Sequence, residues 1–160
     1  MKERKTRYSI KEEIVINYLK LFRGQSGLYI IRAKKGKSEV LKNICQFNGF
    51  KYKSDVAYVG KGQCLKTTDL YNRTKQELGW SNFVGATFMK KIGFYLGFSE
   101  QDKKNKQAQL HTRNFIIDTF EVECKKLPLD KNLLAWETEM INSLGTCLNS
   151  KKVTIDESAN

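Results

Sequence analysis

The 160-residue sequence predicts one α+β domain: a small three-stranded antiparallel sheet flanked by helices. Three observations carry that expectation. Residues 27–31 and 56–59 are short β-rich runs, and residues 116–124 place apolar side chains on one alternating face. Helix-start signals stand at Ser9, Asp69 and Pro128. The hydrophobic share of 40% suffices for a core, yet no apolar run approaches the roughly 20 residues of a membrane span.

The elements follow in order. Ser9-Ile10-Lys11-Glu12 reads as a capping box, and Ile10, Ile14, Val15, Tyr18, Leu19 and Phe22 recur at helical spacing until Gly24 stops the helix. Gly27-Leu28-Tyr29-Ile30-Ile31 is the first strand, followed by a basic turn at 33–38. Residues 39–54 fit either helix or strand. Val56-Ala57-Tyr58-Val59 is the second strand, cut short by Gly60-Lys61-Gly62. Asp69 caps a helix reaching about Leu78, with Gly79 as its stop. Residues 81–98 mix apolar side chains with glycines and give no assignment, and 100–109 read as a polar loop. Ile116, Phe120, Val122 and Cys124 form the third strand, and Pro128 with Asp130 opens a helix that Gly145 ends. The domain thus spans 1–149, with a helical extension over 1–25, a core over 26–149 and a polar tail over 150–160. No internal repeat is visible.

Charge narrows the partner. Twenty-nine Lys and Arg against 17 Asp and Glu leave +12, which draws polyanions because each neutralised phosphate releases counterions. Nucleic acid leads over a merely solvated basic surface, and an anionic membrane lacks its long basic amphipathic helix. Lys34, Lys35 and Lys37, then Lys51 and Lys53, then Lys103, Lys104 and Lys106 are the candidate DNA contacts. The charged start Met1-Lys2-Glu3-Arg4-Lys5 has no apolar signal segment after it, so a cytoplasmic location is expected.

Cys45, Cys64, Cys124 and Cys147 are widely spaced, without a Cys-x-x-Cys pair and with His111 as the single histidine. This spacing argues against zinc and for reduced thiols. Ser-His or Cys-His catalysis would rest wholly on His111 in its polar, lysine-rich surroundings.

Glu137 is the most informative position. On a helix, Leu133, Leu134, Met140, Ile141 and Leu144 all fall within about 60° of it, so the carboxylate sits inside an apolar stripe while Glu139 points away. Such a group needs a partner: either a buried Lys or Arg, or a metal. A lone carboxylate supplemented by water suits Mg²⁺. Tyr29 and Tyr58 each end a strand near a glycine and, taken singly, are ordinary core or surface tyrosines. Gly60-Lys61-Gly62 lacks the remaining spacing of a phosphate-binding P-loop, and Arg73 alone is a solvated arginine.

In sequence order these positions resemble the GIY-YIG nuclease superfamily. Gly27-Leu28-Tyr29 resembles its first motif and Tyr58-Val59-Gly60, followed by Lys61, its second. Asp69-Leu70-Tyr71-Asn72-Arg73 is similar to the helix that delivers the family arginine. Glu137-Thr138-Glu139-Met140-Ile141, with Asn149 twelve residues after Glu137, resembles the closing signature. The resemblance runs from about residue 26 to 149. Four departures accompany it: a longer segment between the motif strands, so that 33–54 reads as an insertion; a longer loop from Gly60 to Arg73; Glu77 where the family often has His or Tyr; and Thr146 where proline is common.

The resemblance implies hydrolysis of DNA phosphodiester bonds with one divalent metal, Mg²⁺ with Mn²⁺ as a substitute. Glu137 is then the metal ligand, Arg73 the phosphate contact, Tyr29 the general base, Tyr58 the group that orients water or phosphate, and Asn149 a hydrogen-bonding support; Tyr29 needs neighbouring positive charge to act near neutral pH, for which Lys61, the metal and Arg73 are the sources. The role would be that of a restriction enzyme, or of a phage or mobile-element nuclease. A different class of function is a basic nucleic-acid-binding protein that keeps the fold without the chemistry. One metal site cuts one strand per engagement, so double-strand cleavage calls for a homodimer, for which Ile10, Ile14, Tyr18 and Phe22 offer an apolar face, unless that face packs on the chain's own sheet, the use the pattern favours.

Overall fold

The computed structural model describes residues 8–64, 67–128 and 132–149. The expected helix start at Asp130 and the tail from Ser150 lie outside them. Among the described residues the chain forms six α-helices and a three-stranded antiparallel sheet of order β2-β1-β3. Helix α1 (Ile10–Leu19) and a 3₁₀ turn (Lys20–Phe22) precede β1 (Gly27–Ala33); α2 (Ser38–Phe47), β2 (Val56–Gly62), α3 (Leu70–Glu77) and α4 (Thr87–Tyr95) follow. A second 3₁₀ turn (Glu100–Asp102), α5 (Lys106–Thr119), β3 (Phe120–Lys126) and α6 (Asn132–Leu144) complete the order. No helix among the described residues is long and apolar enough to cross a membrane.

The central strand β1 is buried along almost its whole length, as a strand covered on both faces should be. Tyr29, Ile31 and Ala33 join the main core with Leu41, Phe88 and Ile116, whereas Ile30 packs with Val56, Val59 and Ile141 beneath α6. This alternation sets the site. Tyr29 pairs with Gly60 and Ile31 with Tyr58, so both tyrosines share one face; Leu28 pairs with Lys61 on the α6 face.

Helix α1 starts as its sequence requires: Glu12 N donates to Ser9 Oγ at 3.1 Å and Ser9 N to Glu12 Oε1 at 2.9 Å. Its buried face departs from the apolar pattern. Ile10 and Ile14 are 77% and 64% exposed, while Glu12, Ile16 and Leu19 face inward. The cause is distant in sequence, since Arg113 Nε on α5 donates to Glu12 Oε2 at 2.8 Å. Of the apolar face expected to serve a dimer, Phe22 belongs to the core and the Tyr18 hydroxyl accepts from Cys124 N.

Three further expectations are corrected. The third strand begins at Phe120 and not at 116, because Ile116 belongs to α5, where Ala108, Thr112, Ile116 and Thr119 bury at helical spacing. The polar stretch 100–109 is a 3₁₀ turn leading into α5, whose first amides are capped by Asn105 Oδ1. The thiols are not all reduced: Cys45 of α2 and Cys147 after α6 form a disulfide spanning 102 residues. Wide spacing in sequence says nothing of proximity once tertiary packing brings α2 and the segment after α6 together. The ambiguous 39–54 stretch contains α2, and 81–98 contains α4.

Candidate active site

Two glycines let the strands approach. A Cβ at Gly60 would overlap the Tyr29 phenol, and one at Gly27 would overlap the carbonyl of Lys125 on β3. The Tyr29 ring therefore lies flat against β2, stacked with Tyr58 at 6.2 Å between centroids. Asp69 caps α3 through Asn72 N at 2.8 Å, and its second oxygen accepts from Gly24 N at 2.7 Å. That anchorage fixes the helix carrying Arg73. From the opposite face, α6 brings Glu137 to Lys61, with Nζ and Oε1 3.4 Å apart.

These residues, far apart in sequence, line one cleft of about 260 Å³: Tyr29, Tyr58, Gly60, Lys61, Arg73 and Glu137, together with Gln63, Thr67 and Thr68. Asn149 stands behind it. Its amide accepts from Val59 N at 2.8 Å and donates to Val59 O at 2.9 Å, and Leu148 N donates to Ala57 O. The 148–149 segment thereby acts as a short extra partner for β2, satisfying an edge that would otherwise be open. Thr146, at the departed proline position, donates to Asn149 Oδ1 at 2.8 Å.

Glu77 is the residue whose importance the sequence left unread. Its side chain is fully buried and accepts four hydrogen bonds: Phe88 N at 2.8 Å, Met89 N at 3.3 Å, Arg73 Nη2 at 3.0 Å and the Tyr29 hydroxyl at 3.2 Å. The available signal was its place four residues after Arg73, on the same face of α3. Burial raises its pKa above the ordinary carboxylate value, opposed by Arg73 and the two amides. Burial, reinforced by Glu77, also holds the Tyr29 hydroxyl well above its usual pKa, and Tyr58 is raised for the same reasons. For Arg73 burial works against the charge, but Tyr29 and Glu77 outweigh it and the guanidinium is held protonated.

No family model, curated protein or solved structure matches the chain.

The one carboxylate lining the cleft among the described residues is Glu137, 16% exposed and 3.4 Å from Lys61 Nζ, and Gln63, Thr67 and Thr68 line the same cleft. One carboxylate with neutral oxygens and room for water is the donor set Mg²⁺ takes, and neither His nor Cys lines the cleft to favour zinc. Leu133 and Ile141 beside Glu137 are buried, but Leu134 at the rim of the expected stripe is 57% exposed.

The lysine clusters divide. Lys34, Lys35 and Lys37 follow the far end of β1, and Lys51 and Lys53 precede β2, toward the end of the sheet away from Gly60 and Lys61. Lys103 is exposed between the second 3₁₀ turn and α5, while Lys104 and Lys106 face a second groove beside α3.

Proposed function

We propose that the cleft hydrolyses phosphodiester bonds of DNA, and that the chain is a metal-dependent endonuclease of GIY-YIG type. The supporting observation is the convergence of Tyr29, Tyr58, Lys61, Arg73 and Glu137, drawn from β1, β2, α3 and α6, on one small polar cleft.

Arg73 binds a non-bridging oxygen of the scissile phosphate through its planar fork, held in place by Gly85 O at 2.8 Å, Gln76 Oε1 at 3.2 Å and Glu77. Glu137 would hold Mg²⁺ or Mn²⁺, which would supply positive charge to offset that developing in phosphoryl transfer. Lys61 holds the Glu137 carboxylate in place, with Nζ 3.4 Å from Oε1. A tyrosine whose pKa is raised by burial is a poor base alone. Here its hydroxyl proton already points at a carboxylate, so the Tyr29 oxygen takes a proton from the attacking water as its own proton passes to Glu77 Oε2. The water oxygen bonds to phosphorus, the P–O3′ bond breaks, and solvent protonates the leaving oxygen. Tyr58 packs the Tyr29 ring and fixes its plane.

The test is incubation of pure protein with supercoiled plasmid and Mg²⁺, with and without EDTA. Nicked or linear product that EDTA suppresses supports the reading. Tight DNA binding without cleavage in Mg²⁺ or Mn²⁺ would favour the binding-protein reading.

A further inference from the structure

Helix α3 has a second functional face. Beside the cleft it forms one wall of an open groove of about 1070 Å³, whose other walls are the 80–82 turn and the start of α5. Four cations line it, Lys75, Lys104, Lys106 and Arg113, and among the described residues no carboxylate does. Arg113 is satisfied by Glu12 and Gly79 O, whereas Lys75, Lys104 and Lys106 pair with no carboxylate among the described residues. Between the charges stand primary amides, including Asn72, Gln76 and Gln109. Trp80 adds a flat ring flanked by the Arg113 guanidinium at 4.9 Å and Lys75 at 6.0 Å.

The composition selects the ligand. An acidic peptide needs cations and gains little from amides or an indole. Nucleic acid uses all three: phosphates meet lysines, base edges present donor–acceptor pairs that match primary amides, and bases or sugars lie against an aromatic face. Gln76 joins the two sites, lining the groove while its amide oxygen accepts from Arg73 Nη1 at 3.2 Å, and Arg73 lines the cleft.

We propose that this groove binds the stretch of DNA strand flanking the phosphate at Arg73, with Lys75, Lys104 and Lys106 on its backbone and the amides on its base edges. The alignment with the scissile phosphate rests on the nuclease reading; occupancy of the groove by DNA does not.

The experiment separates the two. Trp136→Phe leaves Trp80 as the single tryptophan, and a duplex oligonucleotide is titrated in EDTA, where no cleavage occurs. Saturable change of Trp80 fluorescence is expected. Lys104→Ala/Lys106→Ala should raise Kd at least about tenfold at low salt and flatten the log–log salt slope by about two. Unchanged fluorescence at saturation, unchanged affinity of the double variant, or a response to polyglutamate and not to duplex would each overturn the groove proposal, even if plasmid is cut. Groove binding by a protein that cuts nothing would sustain the groove and overturn the nuclease reading.

Discussion

The Tyr29 hydroxyl donates to Glu77 Oε2 at 3.2 Å inside the core, and the same carboxylate oxygen accepts from Arg73 Nη2 at 3.0 Å. One buried acid thus orients the two groups on which the proposed chemistry depends. Its other oxygen accepts from the first amides of α4, which ties the site to the packing of that helix. Glu77 departs from the pattern the sequence resembles, and its geometry makes it the buried support of both Tyr29 and Arg73.

Glu77→Ala should cost about 3–5 kcal/mol of unfolding free energy, because it strands the Arg73 charge, the Tyr29 hydroxyl and two buried amides. Urea denaturation followed by circular dichroism measures this; a loss below about 1 kcal/mol would show that water replaces the carboxylate freely.

Glu77 also predicts a pH dependence. Its folded pKa is raised, so the folded state holds the proton more tightly than the unfolded chain and stability falls as pH rises through the raised value. Glu77→Gln should remove that slope. In the proposed mechanism only ionised Glu77 accepts the Tyr29 proton, so the cleavage rate should rise with pH over the same window. A wild-type pH–rate profile retained in Glu77→Gln would sink the relay.

Tyr29→Phe removes the hydroxyl while the ring still packs against Gly60, and should lower cleavage roughly 100-fold or more without weakening DNA binding. Single-turnover rates and EDTA binding isotherms separate the two. A near-normal rate would move the base role away from Tyr29.

Glu137→Gln should abolish metal-dependent cleavage and keep the fold, since its partner Lys61 remains partly exposed to solvent. Glu139→Gln is the control and should cut at the wild-type rate. The opposite result would mean that the wrong carboxylate has been placed at the cleft.

Gly60→Ala should be destabilising by about 1–3 kcal/mol and depress activity, because the added methyl overlaps the Tyr29 phenol and either strand or ring must yield. Reducing the Cys45–Cys147 bridge should lower the melting temperature by releasing a closed loop, worth about 2–4 kcal/mol in ordinary cases. Calorimetry with and without reductant checks the second, and an unchanged transition would show that packing alone holds α2 to the C-terminal segment.

What the sequence determined by itself was local. The Ser9–Glu12 capping box, the Asp69 cap, the β-rich runs that became β1 and β2, and the helix around Glu137 are fixed by side chains within a few residues of the backbone they satisfy. The polar cleft was legible only through motif order, since no local rule brings Tyr29, Arg73 and Glu137 together. Tertiary structure decided the rest. Ile116 and Phe120 satisfy helical and alternating spacing alike, and burial of Thr112 and Thr119 on one helical face places the boundary at Phe120. Arg113, 101 residues away, turned Glu12 inward and left Ile10 and Ile14 in solvent. The Cys45–Cys147 pairing, the Asn149 clasp on Val59 and the bond from the Tyr29 hydroxyl to Glu77 all join segments remote in sequence. Their partners are chosen by packing around the sheet, where an unpaired buried polar group is expensive and only the folded chain can supply its mate.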